Sequence, residues 1–121
     1  MPLPVPPAHV VSVRIVHYPD RVLTRTALGA ADLERLATTH TLVKTRSDID
    51  GVVEALDAMP SSPAQATPDS RWGVTLIGPG GTILAHVYLD KFGKRALIDG
   101  KAAHVEGEKL VHLLAQLVPA S

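Results

Sequence analysis

The clearest periodicity in this chain is an alternation of two, concentrated in the last third. Trp72 to Ile77 reads as one strand and Thr82 to Asp90 as the next, with Gly78-Pro79-Gly80-Gly81 turning between them. Asp90-Lys91-Phe92-Gly93 turns the chain again. Lys94 to Ile98 then pairs with Lys101 to Val105 across Asp99-Gly100, a dipeptide whose two residues tolerate positive φ and so favour a tight hairpin. A helical period closes the chain. Leu110, Val111, Leu114, Leu117 and Val118 share one stripe of a helix over 107–118.

Earlier segments mix the two periods. Val11, Val13 and Ile15 alternate with Ser12 and Arg14, which predicts a half-buried strand over His9–Tyr18. Pro19-Asp20 bends or ends it, and Val22 to Leu28 follows as a second strand or an irregular arm. A helix starts at Gly29-Ala30-Ala31-Asp32, with Leu33, Leu36, Ala37 and His40 on one stripe and acids in the first turn to suit its dipole. Thr41 to Thr45 is a short strand. Ser47 or Asp48 caps a second helix that carries Ile49, Val52, Val53, Leu56 and Met59 inward and stops at Pro60. Residues 60–70 read as a polar, proline-rich loop, long enough to move.

The order is β-(β)-α-β-α-β-β-β-β-α. It predicts an α+β fold: a mainly antiparallel sheet of about five strands, ending in a meander, with helices packed on one face. A chain of 121 residues suits one domain, expected over 9–119 behind a disordered proline-rich tail at 1–8. The tail, Pro2-Leu3-Pro4-Val5-Pro6-Pro7, is stiff and polyproline-like. It resembles the linker that follows a removed signal or lipid anchor. A mature periplasmic form is therefore favoured over a cytoplasmic protein with a loose N-terminus. No apolar run approaches the ~18 residues of a membrane span.

A sheet with helices on one face leaves the other face to water or to a partner. In strand 82–90, Ile83, Ala85, Val87 and Leu89 are the apolar set expected under the helices. Leu84, His86, Tyr88 and Asp90 then point the opposite way. Tyr and His each offer a flat apolar body with a polar tip, which suits recognition. The competing expectation is that the sheet curls and encloses this row as a second small core.

Charge and composition narrow the chemistry. Twelve basic residues balance twelve acidic ones, so the chain lacks the positive field that drives phosphate-backbone binding, and nucleic acid is a poor partner. Residues 32–57 are mildly acidic and residues 90–101 mildly basic, a polarity able to orient an encounter. The absence of cysteine excludes disulfides, thiol catalysis and zinc–thiolate sites. The six histidines, His9, His17, His40, His86, His104 and His112, include no pair at i, i+2 or i, i+4, so no metal site is expected. Gly78-Pro79-Gly80-Gly81 leads into a strand, whereas phosphate loops lead into a helix. No nucleophile elbow is present. Asp90 and Asp99 sit at turns, where acids are common for turn chemistry alone. No catalytic residue and no cofactor is therefore assigned.

Phe92 is the only phenylalanine, and it stands at a hairpin tip among Lys91, Lys94 and Arg95. Such a ring either folds back onto the core, the preferred expectation, or projects as an anchor with a basic rim suited to an acidic cleft. Trp72 is expected as a core plug at the start of its strand. The functional expectation is a small non-enzymatic protein-binding module of the bacterial inhibitor or immunity type, or a periplasmic accessory protein. Its expected contact residues are His86, Tyr88, Asp90, Lys91, Phe92, Lys94 and Arg95. The alternative is a small-molecule binder or small enzyme with a pocket between sheet and helices. A self-associating subunit, using a strand edge or sheet face, is the third possibility.

Overall fold

A computed structural model describes residues 7–18, 29–37, 39–66 and 68–118. The tail up to Pro6, the bend at Pro19-Asp20 and the arm Val22–Leu28 lie outside the described residues. The elements are β1 (Ser12–His17), α1 (Ala30–Leu36), β2 (Thr39–Val43), α2 (Arg46–Ala58), β3 (Ser61–Pro63), β4 (Trp72–Ile77), β5 (Ile83–Leu89), β6 (Arg95–Ile98), β7 (Lys101–Val105) and α3 (Glu108–Leu117). The seven strands form one sheet in the order β2-β1-β4-β5-β6-β7-β3, every neighbouring pair antiparallel. The chain is thus α+β, with seven strands in the sheet rather than about five.

The strand missing from the sequence reading is β3. Ser61, Ser62 and Pro63 pair with Val105, His104 and Ala103 of β7, inside the stretch expected to be a loop. All three are exposed, so no apolar alternation marks them. Backbone pairing at a sheet edge needs no buried side chain. Boundaries also differ: the strand expected over 9–18 spans Ser12–His17, behind a short 3-10 turn at Pro7–His9. The strand expected at 41–45 runs from Thr39 to Val43, and α2 starts at Arg46 behind Thr45, ahead of Ser47 and Asp48. Arg46 stabilises that start by pairing with Asp50 one turn on and donating to the Val10 carbonyl at 2.7 Å.

One face of the sheet carries the main core. Val13, Ile15, Trp72, Val74, Leu76, Ala85, Val87, Leu89, Ala96, Ala103 and Val105 cluster with Ile49, Val52, Val53 and Leu56 of α2 and Leu110 and Leu114 of α3. The α2 and α3 stripes are those the helical period marks. Trp72 is the plug expected, 4% exposed and stacked on His17 with ring centroids 3.8 Å apart.

The other face is not left open. Leu33 of α1 is fully buried against Val16 and Tyr88, with Tyr18, Ala37 and Leu97 around it. The expectation that the helices share one face is therefore corrected: α1 packs opposite α2 and α3. The residues with the parity of Arg14 and Val16 form this second face.

A bulge changes the parity of β5. Leu76 pairs with Ala85, but Ile77 pairs with Ile83, so Leu84 is the extra residue. An irregularity of one residue reverses the direction of every side chain beyond it. Ile83 accordingly turns outward, 51% exposed, while Leu84 packs against the main core. Both residues are reversed from the simple alternation. A Cβ at Gly78 would lie 3.1 Å from the Leu84 side chain, so the glycine makes room for that inward turn.

All three glycine-bearing turns expected along the meander join antiparallel strands. Asp99 and Gly100 have φ of 47° and 85°, the pair of positive values that lets β6 return as β7.

Candidate functional site

The seven residues singled out from the sequence separate into two neighbourhoods. His86 and Tyr88 lie under α1. Asp90, Lys91, Phe92 and Lys94 lie in the turn between β5 and β6, and Arg95 opens β6.

Under α1, strand pairing lines up Leu42, Arg14, Thr75 and His86 across β2, β1, β4 and β5. The next row is His40, Val16, Gly73, Tyr88 and Leu97. Gly73 is the low point of that row. A Cβ there would lie 2.6 Å from Val16 Cγ2 and 3.0 Å from the Tyr88 ring, so glycine lets the ring lie across the strand. Tyr88 is 9% exposed, and its hydroxyl donates to Glu34 Oε1 at 2.9 Å. Arg14 meets the same carboxylate with two hydrogen bonds, at 2.9 and 3.1 Å. This bidentate geometry is the strong form of the ion pair.

The chemistry of the cluster follows from those bonds. Burial by itself would raise the Glu34 pKa. The hydrogen bonds from Arg14 and Tyr88, the Arg14 charge and a smaller contribution from His86 outweigh it, and the carboxyl titrates below its usual range. Tyr88 moves the other way, to about 12, through burial, its bond to Glu34 and the charge of that carboxylate. Glu34 is thus held ionised and Tyr88 protonated. Neither is poised to exchange a proton near neutrality, so the cluster is a clamp on α1 rather than an acid–base pair.

His86 continues the clamp toward β6. Its Nδ1 lies 3.1 Å from Thr75 Oγ1, and its ring is nearly parallel to that of Tyr88 at 6.1 Å. Its backbone N–H donates to Asp99 Oδ1 at 2.8 Å, and Asp99 N–H returns a bond to the His86 carbonyl at 2.9 Å. Asp99 therefore serves the turn. Arg14 and Glu34 were not among the residues expected here. The alternation of β1 marks Arg14 as outward, but nothing local pairs it with a helix residue twenty positions away.

The β5–β6 turn is built differently. Asp90 Oδ1 accepts from the backbone N–H groups of Lys94 at 2.8 Å and Arg95 at 3.3 Å. Gly93 N–H donates to the Asp90 carbonyl, and the Gly93 carbonyl accepts from Gly107 N–H at 2.7 Å. Gly93 has φ of 70°, and a Cβ there would lie 2.7 Å from the Gly107 backbone. Lys94 pairs with Glu108 at the start of α3. The turn is pinned by its own carboxylate and by the α3 end. Phe92 nevertheless projects from it, 63% exposed, with Lys91 Nζ 4.9 Å from its ring centroid. Lys91 and Arg95 are exposed beside it.

Two open depressions of about 370 and 270 Å³ are lined by β3, and a third of about 420 Å³ lies between the end of α2 and the start of α3. His104 lines the first with Ser61 and Ser62. A small-molecule pocket was expected to use His86, Tyr88 and His104; of these, His86 and Tyr88 line none of the three depressions. Among the described residues no three His, Asp or Glu side chains converge on a point that suits a metal ion, and no helix is long and apolar enough to cross a membrane.

Comparison with protein-family models, with curated proteins and with solved structures finds no match to this chain.

Proposed function

We propose that the protein is a binding module that docks another protein through the β5–β6 turn, with Phe92 as its anchor. The observation that carries this reading is a large aromatic side chain, 63% exposed, on a turn whose backbone is already fixed. An anchor held in place before binding loses little conformational entropy on docking. Aromatic anchors ringed by polar groups are where binding energy concentrates. Lys91 and Arg95 supply a positive rim, so the complementary surface is a cleft with an apolar floor and acidic walls.

Roles within the turn differ. Phe92, Lys91 and Arg95 are the contact residues. Asp90 positions the turn through its two backbone acceptor bonds, and Lys94 is engaged with Glu108. His86 and Tyr88 belong to the α1 clamp and leave the contact set. A module of this size and neutral charge suits an inhibitor or immunity-type protein, or an accessory subunit.

The test is a photo-crosslinking residue at position 92, used in extract from the native host, with products identified by mass spectrometry. One dominant crosslinked protein, whose capture by the wild-type chain falls at least tenfold with Phe92→Ala or Lys91→Glu, supports the reading. Unchanged capture with both substitutions overturns it.

A further inference from the structure

We propose that the protein self-associates as a two-fold dimer through antiparallel pairing of β2 with β2 of a second copy. Tyr18 N–H bonds to the Arg71 carbonyl, in register with the β1–β4 ladder. Backbone groups alternate sides along a strand. Even-numbered residues of β1 therefore bond β4, and Val13, Ile15 and His17 bond Val43, Thr41 and Thr39 of β2. That leaves the N–H and C=O groups of His40 and Leu42 directed away from the sheet, along its outer edge.

This arrangement is self-complementary. An axis through Thr41 sets His40 opposite the partner's Leu42 and Leu42 opposite the partner's His40. Each is a hydrogen-bonded pair, so four backbone bonds form and every outward group finds a mate. Thr41 then faces the partner's Thr41 at the close, non-hydrogen-bonded spacing, a favourable cross-strand pair. Leu42, 50% exposed in the single chain, meets the ring of the partner's His40 and reaches diagonally toward the partner's Leu42.

Charge permits this approach. Arg14, beside Leu42 on β1, is neutralised by Glu34. Lys44 lies three residues from the axis, which puts the two copies about 20 Å apart along the paired strands. No Lys, Arg, Asp or Glu belongs to β2 itself. The opposite edge is guarded. Ala64 N–H bonds the Ala102 carbonyl and Glu106 N–H bonds the Pro60 carbonyl, so Ser61 and Pro63 face outward from β3. Pro63 has no N–H to offer, a common protection of edge strands.

Two five-residue strands bury far less than the roughly 1,200 Å² of a stable interface. The dimer is therefore weak and concentration-dependent.

Sedimentation velocity over a micromolar-to-millimolar series, with amide exchange measured at both ends, tests this. The expected result is a rise from monomer to dimer mass, with protection of the His40 and Leu42 amides gained only at high concentration. Leu42→Pro removes an outward N–H and should hold the chain monomeric with its circular dichroism unchanged. Leu42→Lys places a charge beside the axis and should do the same if the proline variant fails to fold. A single monomeric species throughout overturns the proposal, as does a dimer that survives Leu42→Lys. Protection of both amides in dilute solution also overturns it, because the edge would then be covered within one chain.

Discussion

The two faces of the sheet are closed by different physics. On one, α2 and α3 lay aliphatic stripes over mainly aliphatic strand positions. On the other, among the described side chains of a seven-residue helix, Leu33 is buried and the Glu34 carboxylate accepts three hydrogen bonds. The first face draws its stability from area removed from water, which is large and indifferent to pH. The second draws on directional bonds, which are individually modest and depend on the charge of Glu34. Removing the same number of atoms should therefore cost much more on the first face.

The largest effect is expected from Leu89→Ala or Leu114→Ala, each of which empties a fully buried site in the main core. A loss of about 2–5 kcal/mol is expected from lost transfer energy and the cavity left behind. Urea unfolding measures it directly. A loss below about 1 kcal/mol at both sites would mean that the α2–α3 layer is not the principal core.

Gly73→Ala tests the second face from beneath. The added Cβ would lie 2.6 Å from Val16 Cγ2, a buried β-branched side chain with little room to yield, and would press on the Tyr88 ring. About 1–3 kcal/mol of destabilisation is expected from this overpacking. Tyr88→Phe is milder. It removes one of three donors to Glu34 and keeps the ring, for about 0.5–1.5 kcal/mol. Amide exchange should place the accompanying loss of protection in α1, with α2 and α3 unchanged.

The sequence discloses these two faces unequally, for a physical reason. Period-two and helical patterns report burial on an apolar face, so the α2 and α3 stripes, Trp72 and the Asp99-Gly100 hairpin were legible. The α1 bracket depends on Glu34 meeting Arg14 and Tyr88, residues 20 and 54 positions away, and no local pattern encodes that register. The bulge at Leu84 was hidden because Ile83 and Leu84 are both apolar, so reversing them leaves the pattern unchanged. Ser61–Pro63 was hidden because an edge strand with every side chain in water has no pattern to show. In the β5–β6 turn, the sequence marked Phe92 and its basic neighbours but could not show that the Asp90 carboxylate is spent on the turn itself.

The second face should also respond to pH where the first does not. Glu34 has a folded pKa below its unfolded value, so its contribution is present above the ordinary carboxylate range and is lost as pH falls through the folded pKa. Tyr88 has a folded pKa of about 12, above the ordinary 10. Its contribution is complete below pH 10 and fades as pH rises from there toward 12. Glu34→Gln should flatten the acid limb of the stability profile, and Tyr88→Phe the alkaline limb. An acid limb identical in Glu34→Gln and wild type would show that the carboxylate does not hold α1.

The smallest effect is expected where neither face is involved. Phe92 leaves its ring in water, and the bonds that fix its turn run through Asp90, Gly93 and Gly107, none of them through the Phe92 side chain. Phe92→Ala should change stability by no more than about 0.5 kcal/mol, as for surface positions in general, so thermal unfolding should move by only about 2 °C. Asp90→Ala makes the useful contrast, because it strips two backbone N–H groups of their acceptor while leaving the aromatic side chain in place. It should loosen the turn, visible as faster exchange of the Lys94 and Arg95 amides, while Phe92→Ala leaves those amides unchanged. If Phe92→Ala instead lowered the unfolding temperature as much as Tyr88→Phe, the ring would be part of the packing, and a side chain already spent on the fold has little left to give a partner.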